Sequence, residues 1–295
     1  MQKFVIITDS CSDLNEELRQ QYDIHYVPMH FHCQGKQYDA DLDWKEISAK
    51  DFYDLMRDGN RIMTAQVTAP QYTAKFEEFL KEGFDVLSIS CSSALSGSVN
   101  ASYVARDELA AKYPERKIIC IDSLISCFGL GMLCMRASEL RAEGKTIEET
   151  AAWIEENKLN VHQEATVERL AYLKQAGRVT AASAFFGTLL SIKPIIISDE
   201  AGQNAAVEKV KGRKTSLERI VERTAEAYQT VPYQKIYIGH ADTPADAQIL
   251  KEKLQEKLQE KCVEIGIGYI GPIVGASVGP GTVGIYFYGD KVQTK

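Results

Sequence analysis

The first half of this chain alternates apolar runs of strand length with segments of helical length, and the strand-length runs close on short polar clusters. Phe4 to Ile7 ends in Thr8-Asp9-Ser10, the run Val86 to Ile89 ends in Ser90 to Ser98, and Lys117 to Ile121 ends in Asp122-Ser123. A further strand is read over Ile24 to Phe31. The helical segments carry start and stop signals. Asp13 with Glu16 and Asp43 with Glu46 form capping-box spacings, the second helix ending near Gly59. Ala69 to Lys81 and Ala101 to Lys112 read as helices, Phe128 to Glu143 is an apolar-faced helix stopped by Gly144, and Thr146 with Glu149 opens another. Strands alternating with helices of this length predict a parallel α/β sheet. In such sheets a ligand sits in the crevice at the carboxyl ends of the strands, where the polar clusters fall.

The pattern changes near Leu159. Val161 to Thr166, Ile192 to Ser198, Ala205 to Val210, Lys235 to Gly239, Val263 to Tyr269 and Gly284 to Tyr288 read as strands, with a helix opening at Thr243-Pro244. Fewer clean alternations predict a mixed sheet. At 295 residues the chain exceeds what one core usually serves, so two domains are expected, 1–158 and 159–295. Ile265 to Gly289 carries no formal charge and is long enough to span a bilayer. It also holds eight Gly and two Pro, which reads as buried strands and a tight loop, with no stable membrane insertion.

Acidic residues outnumber basic ones, 41 to 34, for a net charge of −7, which argues against a nucleic-acid surface. A local basic patch is formed by Lys209, Lys211, Arg213 and Lys214. The seven Cys are odd in number and form no C-x-x-C, so neither a disulfide framework nor a zinc site is expected. A reduced, cytoplasmic protein follows from that usage, and no signal peptide is read at the start. Asp39-x-Asp41-x-Asp43 begins like a calcium loop, but Trp44 and Lys50 occupy its sixth and twelfth positions. His30 and His32 share a strand face without a third ligand, and His240 reads as structural or at a domain edge. No metal or cofactor is expected, and no nucleotide loop or nucleophile elbow occurs.

The stretch Ser90 to Ser98 joins a buried strand to a helix. A Ser- and Gly-rich turn there places hydroxyls and backbone N–H groups at the positive end of a helix, which suits a carboxylate or a phosphate. It also suits a plain helix cap. Together with other segments, however, it resembles the DegV family. Thr8-Asp9-Ser10 with Asp13-Leu14 is similar to the family's opening. Thr64-Ala65-Gln66 is similar to its Thr-Ser-Gln element, Ser92 to Ser98 to its Ser-rich turn, and Asp122-Ser123 to its next strand end. Leu170-x-x-Leu173-Lys174-x-x-Gly177-Arg178 with Lys193-Pro194-Ile195 resembles its second-domain motif, and Gly271-Pro272 to Gly279-Pro280-Gly281 its C-terminal loop. The resemblance covers nearly the whole chain, in order.

That resemblance implies two α/β domains holding a long-chain fatty acid between them, with no catalytic chemistry of their own and a fatty-acid kinase as partner. It implies that Thr64 and Ser96 hydrogen-bond the carboxylate, helped by the N–H groups of the Gly97 turn. It places Arg178 near the head group or the kinase. Two positions depart from the pattern. Ser277 stands where many members carry His, and Ala65 where Ser is usual. A hydroxyl hydrogen-bonds a carboxylate but carries no positive charge.

A long acyl tail offers ~14 methylenes at ~0.8 kcal/mol each, about 11 kcal/mol gross. A charge-assisted hydrogen bond adds about 1.5–3 kcal/mol. The tail therefore supplies affinity and the head-group residues fix orientation. The expected apolar walls are Phe128, Leu130, Met132 and Leu133, with Ala184, Phe185, Phe186, Leu189, Leu190 and Ile192, each of which also reads as plain core. Two other readings stand beside this one. Ser96 or Ser93 would serve a hydrolase acting on an ester or phosphate if a base lay within reach. The basic stretch from Lys209 to Lys214 would serve protein docking.

Overall fold

A computed structural model of the chain describes residues 3–180, 191–259 and 263–293. β1 (Phe4–Asp9) is buried along its whole length because it is central in a parallel sheet, flanked by β2 (Ile24–Val27) and by β6 (Asp85–Ser90), with β7 (Ile118–Asp122) at the far edge. The helices of this half are α1 (Glu16–Tyr22), α2 (Ala49–Arg57), α3 (Ala69–Lys81), α4 (Ser98–Lys112), α5 (Cys127–Ala142) and α6 (Ile147–Asn157). Thr146 and Glu149 cap α6 reciprocally, as their spacing predicts.

Two other caps differ from expectation. Asn15, not Asp13, caps α1, and Ser48, not Asp43, caps α2. Asp13 is instead buried in a left-handed conformation, and Asp43 pairs with Arg19 at 2.6 Å. The strand expected over Ile24 to Phe31 is also divided. Pro28, which has no N–H to give a ladder, separates β2 from β3 (His30–Cys33). β3 turns back through Gln34 and Gly35, both at positive φ, into β4 (Lys36–Asp39), and pairs on its other side with β5 (Met63–Ala65). This small antiparallel sheet, not expected from the sequence, carries Thr64.

The second half forms one mixed six-stranded sheet, ordered β10-β9-β8-β13-β11-β12, as expected. These strands are β8 (Val161–Thr166), β9 (Ile192–Ser198), β10 (Asn204–Lys211), β11 (Ile236–His240), β12 (Ile265–Tyr269) and β13 (Val283–Tyr288). Among the described strands of this sheet only β11 and β12 pair in parallel. α8 (Arg213–Ala227) and α9 (Pro244–Lys257) cover one face with Leu217, Ile220, Leu250 and Leu254. α7 (Leu170–Ala176) ends on Gly177 in the left-handed region. The Gly271 to Gly281 stretch, expected as a tight loop, contains α10 (Pro272–Val278), with Pro272 at the first helical position where its missing N–H is harmless. No helix among the described residues is long and apolar enough to cross a membrane.

α5 lies between the two sheets, and its first nine residues, Cys127 to Met135, are buried on every side, so that stretch is apolar all round rather than striped. Phe128 stacks on Tyr237 at 5.3 Å, and Tyr288 donates to the Met132 carbonyl. Polar contacts fix the same junction. Tyr53 Oη donates to the Ile270 carbonyl at 2.6 Å, Ser198 Oγ to that of Leu124 at 3.1 Å, and Arg57 meets Asp242 at 2.6 Å.

Candidate functional site

The polar clusters at the ends of β1, β6 and β7 hold one another in place. Asp9 Oδ1 accepts from the Cys11 N–H and Oδ2 from the Cys91 N–H, each at 2.9 Å, so one buried carboxyl fixes both loops. Burial raises it to about 6, against the lowering effect of those N–H groups. Ser10 Oγ accepts from Met29 N–H and donates to the Ala40 carbonyl, both at 2.9 Å, tying down the passage from β2 to the small sheet. Asp122 Oδ1 accepts from Ser93 and Leu124 N–H at 3.1 Å. These groups are scaffold; none of the three lines the main cavity.

The Ser-rich turn divides its hydroxyls between scaffold and cavity. Ser92 Oγ accepts from Ala94 N–H and donates to the Gly202 carbonyl at 2.8 Å, joining the two halves. Ser98 Oγ accepts from Val67 N–H at 3.1 Å, which sets the segment after β5 against the turn. Ser96 Oγ lies 3.0 Å from Ser98 Oγ and accepts from Ser98 N–H at 3.3 Å. α4 begins at Ser98, three residues before the expected Ala101, with Gly97 as an N-cap that offers no side chain. Its first-turn N–H groups therefore open at the turn itself, where an anion is stabilised. A Cβ at Gly97 would meet the Gln66 amide oxygen far inside contact distance, so that flexible side chain would have to move aside.

All five residues singled out from the sequence, Thr64, Ser96, Gly97, Arg178 and Ser277, line one cavity of about 410 Å³. They come from β5, the turn before α4, the residue after the α7 cap, and α10. Met29, Leu95, Ile273, Val274 and Val278 supply apolar wall. Arg178 Nε donates to the Leu95 carbonyl at 3.3 Å and its Nη1 to that of Ala176, which holds the exposed guanidinium across the gap between the halves. Ser277 Oγ reaches its own helix only at 3.5 Å, at the Ile273 carbonyl. Gly275 lets α10 settle on the Tyr53 ring.

Two smaller spaces adjoin. A polar one of about 190 Å³ shares Thr64, Arg178 and Ser277 and adds Asn60, Arg61 and Gln175. A narrow one of about 20 Å³ shares Ser126, Asn204, Val274 and Val278 and is walled by Ala165, Val167, Leu173, Ile196 and Ile270. The head-group residues thus face one end of the cavity and an apolar recess the other.

The expected walls are corrected in part. Phe128, Leu130, Met132 and Leu133 are at most 2% exposed and pack α5 between the sheets; neither they nor Ile192 line the main cavity. Ala184, Phe185, Phe186, Leu189 and Leu190 lie outside the described residues. The cavity's apolar lining instead comes largely from α10, which the sequence did not reveal as a helix. Cys11, Cys91, Ser126 and Asn204 also line it, none of them singled out as a site residue from the sequence. None of the five histidines does. His240 is buried against Tyr269, and burial lowers its pKa. Of the basic stretch, Arg213 is paired with Asp246 at 2.8 Å. Among the described residues no cluster of metal-ligating side chains occurs.

The chain is similar to known proteins along nearly its whole length. The family model described as "Uncharacterised protein, DegV family" matches residues 3–290. A DegV domain-containing protein of Clostridium perfringens is 38% identical over 293 residues, 99% of this chain and 100% of the relative. The solved structure of DegV from Bacillus subtilis, described as a fatty acid binding protein, is 29% identical, with a TM-score of 0.83 over 98% of this chain and 100% of that one. A DegV family protein from Thermus thermophilus, described by its fatty acid binding, is 28% identical with a TM-score of 0.85, at 98% and 100% coverage.

Proposed function

The chain belongs to the DegV family, and from that footing we propose that it binds a long-chain fatty acid. The carboxylate is held by Thr64 and Ser96, with the Gly97 turn, Ser277 and Arg178 completing its surroundings. The acyl chain runs between two domains, 1–158 and 159–295, into the apolar recess. The observation that carries this reading is the convergence of five residues from four separate segments on one cavity with an apolar far end. Its volume, about 410 Å³, is in the range of small-molecule sites. The likeness to fatty acid-binding proteins of the family supports the ligand class.

The carboxylate end opens toward the polar space beside Arg61 and Arg178. A group held there is reachable from outside while its tail stays buried, which suits presentation to a fatty-acid kinase. Carriage is favoured over serine hydrolysis by the surroundings of Ser96. Its hydroxyl has the Ser98 hydroxyl as neighbour, and among the described residues no histidine or carboxylate lines the cavity to serve as its base.

Native mass spectrometry of the purified protein, with lipid extraction, tests the reading. A bound acyl chain, or uptake of one by delipidated protein, is expected. A protein that carries none and takes none up is not a fatty acid carrier.

A further inference from the structure

The narrow end of the cavity is less apolar than a plain hydrocarbon tail requires. Ser126 lines both the main cavity and the apolar recess and so stands at the threshold between them. The residue is 5% exposed, yet its hydroxyl does not cap α5 and has no hydrogen-bond partner among the described residues. Asn204 shares both linings from the opposite sheet. It is 8% exposed and is oriented by two bonds at 3.1 Å, donating from Nδ2 to the Arg178 carbonyl and accepting at Oδ1 from Gln163 Nε2.

A saturated chain crossing this threshold would seal off Ser126 with its hydrogen-bonding capacity unused, which is unfavourable. An oxygen borne by the chain would accept from the Ser126 hydroxyl, and a chain hydroxyl would also donate. We propose that the preferred ligand is an oxygenated fatty acid, bearing a hydroxyl or keto group along its chain that is received by Ser126 at the threshold between cavity and recess. This rests on the proposal that the cavity holds an acyl chain. It assigns Ser126 the role of a specificity residue, with the Asn204–Gln163 pair as its polar surroundings.

Delipidated protein is titrated with octadecanoic acid and with hydroxyoctadecanoic acids whose hydroxyl is moved along the chain. Binding is read by calorimetry and by competition in native mass spectrometry. At least one positional isomer is expected to bind about tenfold more tightly than the unsubstituted acid, the ratio one well-made buried hydrogen bond supplies. Ser126→Ala should flatten the isomer profile, and Ser126→Thr, which keeps the hydroxyl, should retain it in part. The proposal is overturned if every isomer binds wild-type protein no better than the plain acid, or if the profile survives Ser126→Ala. The wild-type scan decides even where a variant does not fold. Tight binding of the plain acid alone would sink the oxygen preference and leave fatty acid carriage standing; binding of none would remove both.

Discussion

Ser96 and Thr64 each present one hydroxyl to the cavity, and a hydrogen bond to a charged group is worth about 1.5–3 kcal/mol. Removing either by Ser96→Ala or Thr64→Ala should weaken fatty acid binding roughly 10- to 100-fold, with little change in melting temperature, as isothermal titration would show. A loss of stability equal to the loss of affinity would instead make these residues scaffold. Ser277 gives the opposite test. A hydroxyl there is neutral at every working pH, whereas Ser277→His would bring a group that is cationic when protonated. The variant should bind the carboxylate more tightly at pH 6 than at pH 8, by a margin larger than any the native protein shows. Gly97 is a matter of space, because its missing Cβ is what admits Gln66. Gly97→Ala should push the Gln66 amide aside, which its flexible side chain can accommodate, so the fold should persist and affinity should fall by less than in Ser96→Ala.

At the scale of elements, the sheets were legible and the pieces that hold the site were less so. Val161–Thr166 and Ile192–Ser198 coincide with the strands read from the sequence, the second anchored by the apolar run Ile195 to Ile197, the first despite carrying His162, Gln163 and Glu164. The small sheet was missed because its strands are three or four residues long and Pro28 sits inside an otherwise strand-like run. α10 was missed because Pro272, Gly275 and Gly279 look like breakers. Pro is harmless at the first position, Gly275 makes room for Tyr53, and Gly279 ends the helix at φ +80°. The five residues proposed for the site were singled out through ordered motifs, but Ser126 and Asn204 were not, since residues from distant segments carry no spacing signal until the chain is folded. Gly279 provides the test at this scale. A side chain there would be strained by its φ and would collide with the Tyr172 ring. Gly279→Ala should cost on the order of 1–3 kcal/mol in chemical denaturation. It should also shift α10, so that lipid binding weakens more than Ser277→Ala alone would cause.

Over the whole molecule, the junction between the sheets is sealed around a carboxyl group. Asp13 follows β1, is 5% exposed, and neither oxygen finds a full hydrogen bond. Burial pushes its pKa from the usual 3.8 to about 8. The Cys127 thiol and the Gly271 N–H facing it offset this only in part, and the nearby Asp9 charge adds to it. Below the ordinary value the group is neutral folded or unfolded, and pH has no hold on it. Between 3.8 and about 8 the unfolded chain releases a proton that the folded chain retains. The contribution of Asp13 to stability therefore falls as pH rises, by up to about 1.4 kcal/mol per pH unit, and levels off above the folded value. Groups such as Asp43, whose folded pKa is lowered beside Arg19, act in the opposite sense, so the native pH profile alone is a mixture. Asp13→Asn isolates the term by keeping the shape and removing the titration. Relative to native protein, the variant should gain thermal stability steadily from pH 5 to pH 8 and no further beyond about pH 9. A difference that stays constant across that range would mean that Asp13 is ionised in the folded protein, and that the junction holds a partner for its charge.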